Sequence, residues 1–130
     1  MSSISSQIKV IAFDIFGTVV DWHGSVCAEV KSMGLKVDPA EFALAWRAGY
    51  KPAMQSVMEN NEWVVLDVLH RRILDGVLAD FGIDDLDEPT RQHLNRVWHR
   101  LTPWPDSVQG LTRIGPAIRS ARFPMAISGC

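Results

Sequence analysis

Cysteine is scarce in this 130-residue chain: Cys27 and Cys130 are the only two. Such a pair, one of them the last residue, makes neither a disulfide framework nor a tetrahedral zinc site, so a reducing, cytoplasmic setting is expected. Net charge is also small, -2, which excludes the strong positive field that draws a protein to nucleic acid or to an anionic membrane. Residues 1–7 are polar. The apolar run behind them, residues 8–13, contains Lys9 and is too short for a signal peptide or a membrane span. Low-complexity tracts and internal repeats are missing too, which removes linker and solenoid architectures. His23, His70, His93 and His99 share no ligand spacing, so no metal is expected and each reads as a surface or half-buried helical residue.

What is present is the make-up of an ordinary globular protein, 47% hydrophobic and 22% charged. One domain is expected at this length, or a small core with an inserted lobe. Ile8, Val10, Ile11, Ala12 and Phe13 form a nearly continuous, β-branched apolar run, the pattern of a strand buried on both faces of a parallel sheet. That strand should end near Asp14, with Gly17, Thr18 and Asp21 in a loop at its carboxyl end.

From Trp22 a helical period takes over. Val26, Val30 and Met33 share a face and Gly34 stops the first helix. Asp38, Pro39 and Glu41 open a second as cap, first helical position and capping box. Phe42 and Trp46 line its apolar face, and Pro52 should kink or divide it before Asn60 and Asn61. Leu66, Leu69, Ile73, Val77 and Phe81 mark a third helix closed by Gly82. Leu94, Val97, Trp98 and Leu101 mark a fourth, ended by Thr102-Pro103-Trp104-Pro105. Asp106 is the expected cap of a short helix through Val108, Leu111 and Ile114, and residues 123–127 read as a second buried strand. A crossover between parallel strands needs only about a dozen residues. The excess between Trp22 and Pro103 therefore reads as an inserted helical cap. The expected fold class is α/β, with residues 1–20 and 104–130 as a partial core of parallel strands and residues 21–103 as the cap.

Asp14, at the rim where open α/β sheets bind ligands, is the leading candidate for chemistry. A carboxylate there can attack an electrophilic carbon or phosphorus; its bland alternative is an acceptor that ties down the turn. The stretch Phe13-Asp14-Ile15-Phe16-Gly17-Thr18-Val19-Val20-Asp21 resembles the first motif of the haloacid dehalogenase superfamily. In that family the leading aspartate is the covalent nucleophile, on a Rossmann-like core with an inserted cap. Phosphatase members carry a second aspartate two residues later, whereas the 2-haloacid dehalogenase branch has an aromatic residue there. Here Phe16 holds that position, and a halide leaving group needs no proton. Trp46-Arg47 is similar to the cap element whose arginine holds substrate and receives halide, against the plain alternative of a solvated arginine on a helix face. Ala126-Ile127-Ser128-Gly129 resembles the second motif, which ends a core strand in a hydroxyl residue, although dehalogenases usually read Ser-Asn-Gly there.

The resemblance implies a hydrolase that turns 2-haloalkanoic acids into 2-hydroxy acids and halide through an aspartyl ester, with no cofactor. Asp14 and Arg47 are its catalytic residues, and Phe16, Thr18, Arg47 and Ser128 its substrate contacts. The expected partner is a small 2-halo acid rather than nucleic acid or membrane, and a homodimer is compatible with the reading. The family's lysine motif and acidic motif have no counterpart before Cys130, so the chain is expected to be truncated and inactive alone. Two rivals stand beside this reading: a Mg²⁺-dependent phosphatase of the same superfamily, and a non-catalytic fragment. Asp21 is expected to cap the helix after it. Trp22, Trp63, Trp98 and Trp104 read as packing residues.

Overall fold

The computed structural model describes residues 7–115 and the backbone of Ala126–Ile127. Helices dominate the described residues: α1 (Trp22–Ser32), α2 (Pro39–Ala48), α3 (Tyr50–Glu59), α4 (Leu66–Asp80), α5 (Glu88–Asn95) and α6 (Ser107–Ile114), with a 3-10 turn over Arg96–His99. Their starts follow capping chemistry. Asp21 accepts from the Gly24 N–H, Asp38 from Glu41 and Asp87 from Thr90, each at 2.9 Å. Each bond satisfies an amide that a helix start leaves orphaned and contributes about 1 kcal/mol. Gly34 and Gly82, at φ of 69° and 70°, turn the chain out of α1 and α4 in a conformation that a side chain would disfavour.

The long second helix expected from sequence divides at Gly49, leaving Pro52 in the first turn of α3. There its missing N–H costs no helical bond. Asp106 does precede α6, but its side chain makes no capping bond. Its backbone is already helical, at φ −93° and ψ −10°, and a capping carboxylate needs an extended residue to reach the first amides.

The core joins Val26 and Val30 of α1, Phe42 and Trp46 of α2, Leu74 and Leu78 of α4, Leu94 of α5, and Val97 and Trp98 of the 3-10 turn. A smaller cluster of Val57, Val64 and Leu69 lies between α3 and α4. The face of α4 differs from the expected stripe: Leu69, His70, Leu74, Val77 and Leu78 are buried, while Ile73 and Phe81 pack at the margin. Because α2, α3 and α5 all lie against α4, it buries a wider arc than a surface helix and draws His70 inside. Trp63 departs from its expected packing role and stays 63% exposed. No helix of the described residues is long and apolar enough to cross a membrane.

The strands are short. β1 (Val20–Asp21) pairs antiparallel with β3 (Thr102–Pro103), so the chain enters and leaves the main helical stretch through one ladder. β2 (Val64–Val65) pairs antiparallel with β4 (Ala126–Ile127). The sequence led instead to a strand over residues 8–13 and a parallel partner over residues 123–127. Residues 8–13 form no strand among the described residues, and Ile8, Val10 and Phe13 are 42%, 63% and 42% exposed. A parallel strand draws its hydrogen bonds and its cover from neighbours on both sides, and no described segment lies alongside. Ala126–Ile127 has joined the open edge of Val64–Val65, as an unpaired strand edge accepts any extended segment.

Candidate active site

Residues 14–20 fold into a tight loop after the extended segment. Gly17, at φ 88°, lets the backbone reverse so that its N–H reaches the Val20 carbonyl at 2.9 Å, while the Val19 N–H donates to Ile15 at 3.0 Å. Across this turn the Thr18 hydroxyl donates to Asp14 Oδ2 at 3.0 Å. That bond fixes the carboxylate by one oxygen and leaves Oδ1 for other work. The exit segment clamps the loop from outside. The Trp104 indole N–H donates to the Gly17 carbonyl at 3.0 Å, and the Trp104 N–H and Ser107 hydroxyl both donate to the Val19 carbonyl, at 3.0 and 2.6 Å. Trp104, expected only as packing, thus sets the loop's position through its N–H.

Phe16 points from this loop toward the helices. Its ring meets Trp98 edge-on at 5.7 Å and lies under the guanidinium of Arg47, 5.5 Å from the centroid. Trp22 and Tyr50 flank the same guanidinium at 5.9 and 4.8 Å. Arg47 is half-buried in the last turn of α2, and among the described residues it forms no salt bridge. Attraction to the aromatic faces holds the cation, and no carboxylate among the described residues takes up its N–H groups. The expected residues therefore fall into two contacting pairs, Asp14 with Thr18 and Phe16 with Arg47, joined by the loop backbone. Ser128 lies outside the described residues.

Beside Phe16 a pocket of about 410 Å³ opens, lined also by Leu66, Asp67, His70, Trp98 and His99. Asp14, Thr18 and Arg47 are not in its wall. His70 is 3% exposed and stacks on Trp98 at 4.5 Å, which corrects its expected surface or half-buried position. A lone histidine on an otherwise apolar face carried no signal of this, since its role comes from the fold around α4. Burial drives the His70 pKa down from 6.5 to about 4; Asp67 opposes the shift, and Arg47 and His99 add to it.

An acid instability follows. The unfolded chain takes up a proton at this residue near pH 6.5, the folded chain only near pH 4. His70 therefore leaves stability untouched above that window, and about 3 kcal/mol is lost as pH falls through it. Urea midpoints measured across the window should drop more steeply for the native chain than for His70→Phe, which keeps the ring stack. Parallel curves would refute the buried neutral imidazole.

Neither a family model nor a curated protein sequence matches the chain. Solved structures do. The defluorinating L-2-haloacid dehalogenase Rha0230 is 42% identical with a TM-score of 0.79, over 91% of this chain and 52% of its own. The L-2-haloacid dehalogenase PA0810 is 36% identical with a TM-score of 0.76, over 85% of this chain and 49% of its own. The L-2-haloacid dehalogenase from Xanthobacter autotrophicus with chloropropionic acid covalently bound shares the fold at 20% identity and a TM-score of 0.66, over 78% of this chain and 40% of its own. The chain thus spans about half the length of these neighbours, and over that half it is similar to them in fold and, for the first pair, in sequence.

Proposed function

We infer that this chain, which carries the N-terminal part of the haloacid dehalogenase fold, provides the nucleophile and the anion-holding arginine of a 2-haloacid dehalogenase. Residues 1–20 and 104–130 contribute to the α/β core, and residues 21–103 form the cap above it. One observation carries the reading: Arg47, half-buried and without a carboxylate partner among the described residues, is stacked on Phe16 of the loop that holds Asp14.

The chemistry then runs as a displacement. Asp14, held through Oδ2 by Thr18, uses Oδ1 to attack the carbon bearing halogen; the carbon–halogen bond breaks and its electron pair departs with the halide. Water adds to the ester carbonyl, freeing a 2-hydroxy acid and restoring the carboxylate. Arg47 steadies the substrate carboxylate or the departing halide, a charge that a half-buried cation stabilises better than water does. Thr18 and Ser128 help hold the substrate. Phe16, where a phosphatase has its acid, suits a leaving group that needs no proton. A cytoplasmic location belongs to the same proposal.

The test is halide release from 2-chloropropionate and fluoroacetate, the latter because one neighbour is described as defluorinating. It should be run on the 130-residue chain and on a chimera completed with the C-terminal half of the Rha0230 dehalogenase. Halide release from the chimera is expected; a folded chimera that releases none overturns the reading. Within an active chimera, Arg47→Lys should lower kcat/KM about 100-fold although the charge survives, because an ammonium lacks the guanidinium's planar fork of N–H donors. An unchanged kcat/KM would remove Arg47 from the site.

A further inference from the structure

The dehalogenase reading does not use His70, yet this residue is a neutral, almost wholly buried imidazole in the wall of the pocket beside Phe16. Its ring nitrogens make no hydrogen bond to any described residue, and they are not among the sealed unpartnered atoms, which are Asn95 Oδ1 and Trp98 Nε1. His70 itself is one of the residues that line the pocket. Buried polar groups are rarely left without a partner, and this one lines a space of about 410 Å³, within the size range of small-molecule sites.

The surroundings select the kind of molecule. Phe16, Leu66 and Trp98 make an apolar wall that suits a short alkyl or haloalkyl group. The carboxylate at the rim, Asp67, is engaged by His99 Nε2 at 2.7 Å, which weakens its repulsion of an anion. His70 feels Asp67 from its own helix, His99 from the 3-10 turn and Arg47 from α2, with the Tyr50 ring of α3 centred 6.2 Å away. Asp67 bonds His99, while Arg47 has no salt-bridge partner among the described residues.

We propose that this pocket is a binding subsite for a small organic monoanion, with the His70 imidazole N–H as the donor to the anion and the aromatic wall as the seat of its alkyl part. The identification of that anion with the 2-halo acid rests on the function proposed above; the subsite does not. An anion against His70 favours its protonated form, so binding draws in a proton and strengthens as pH falls.

Trifluoroacetate is the probe, because it stays ionised in the acid range, resembles a 2-halo acid and reports its own binding by fluorine NMR. On the 130-residue chain it should bind on the order of tenfold more tightly at about pH 5 than at about pH 7, and should move the His70 ring nitrogen resonances. Neutral trifluoroacetamide should do neither. His70→Phe should weaken binding and abolish the pH dependence. His70→Gln, which restores an N–H without a titrating ring, should recover affinity near neutrality but not the pH dependence; His99→Gln, which frees Asp67, should weaken binding yet keep the pH dependence. Absent binding, pH-independent binding, or binding that leaves the His70 resonances still overturns the subsite, and the native-chain spectra decide this even if a variant misfolds. Binding at His70 together with a folded chimera that releases no halide would retain the subsite and reject only its assignment to the dehalogenase substrate.

Discussion

Replacing Asp14 by asparagine is expected to lower halide release in the completed chimera by at least about four orders of magnitude, as loss of a covalent nucleophile does elsewhere. The substitution is nearly isosteric, and the amide oxygen can still accept from the Thr18 hydroxyl, which bonds Asp14 Oδ2 at 3.0 Å in the native loop. Gly17 and Val19 remain clamped by Trp104 and Ser107, so the loop should keep its shape and the loss be chemical rather than structural. Urea unfolding of the variant should match the parent within about 0.5 kcal/mol, because Asp14 is exposed. Thr18→Val tests the same step from the other side: the nucleophile survives without its orienting bond, and a loss of about tenfold to a hundredfold is expected. A second readout separates ester formation from direct attack by water. After many turnovers in heavy-oxygen water, mass spectrometry should find the label in the Asp14 carboxylate. Turnover that persists in Asp14→Asn, or label confined to the product, would reject the covalent route.

The helical part of the fold was legible because its signals are local. Asp21, Asp38, Gly34 and Gly82 act within one turn of themselves, and the apolar spacing that marks Val26, Val30, Phe42 and Trp46 is the face that becomes buried. What misled was the part that depends on neighbours. Residues 8–13 have the composition of a buried parallel strand, but a strand exists only with partners, and among the described residues this segment has none. His70 was missed for the opposite reason. Nothing within a turn of it announces burial; three helices converging on α4 impose it. In the candidate site, Asp14, Phe16, Thr18 and Arg47 were readable from motif and helix position. The Trp104 and Ser107 bonds to the loop link residues more than eighty apart in sequence, beyond the reach of any periodic pattern.

Trp46→Ala should be the most damaging substitution in the helical core, costing about 4 kcal/mol. The side chain is 1% exposed and sits at the centre of the aromatic cluster, with ring centroids 6.2 Å from Phe42 and 5.4 Å from Trp98. Truncation leaves a cavity that rigid helices on every side cannot close. It also removes the indole N–H that donates to the His70 carbonyl at 3.0 Å, a contribution of about 1 kcal/mol. Against a typical total stability of about 5–15 kcal/mol, the loss brings the chain near its unfolding threshold. Trp46→Phe separates the terms: it keeps most of the packing, gives up the hydrogen bond and should cost about 2 kcal/mol. Urea titration of both variants provides the measurement, and a loss under about 1.5 kcal/mol for Trp46→Ala would mean that the cavity collapses and the core is softer than its packing implies. The consequence reaches the site, because the residue after Trp46 is Arg47. Its guanidinium stays over Phe16 only while α2 keeps its rotation against Trp98. A partly folded Trp46→Ala chimera should therefore lose affinity for the 2-halo acid before it loses its helices, a sequence that parallel titrations of KM and circular dichroism would resolve.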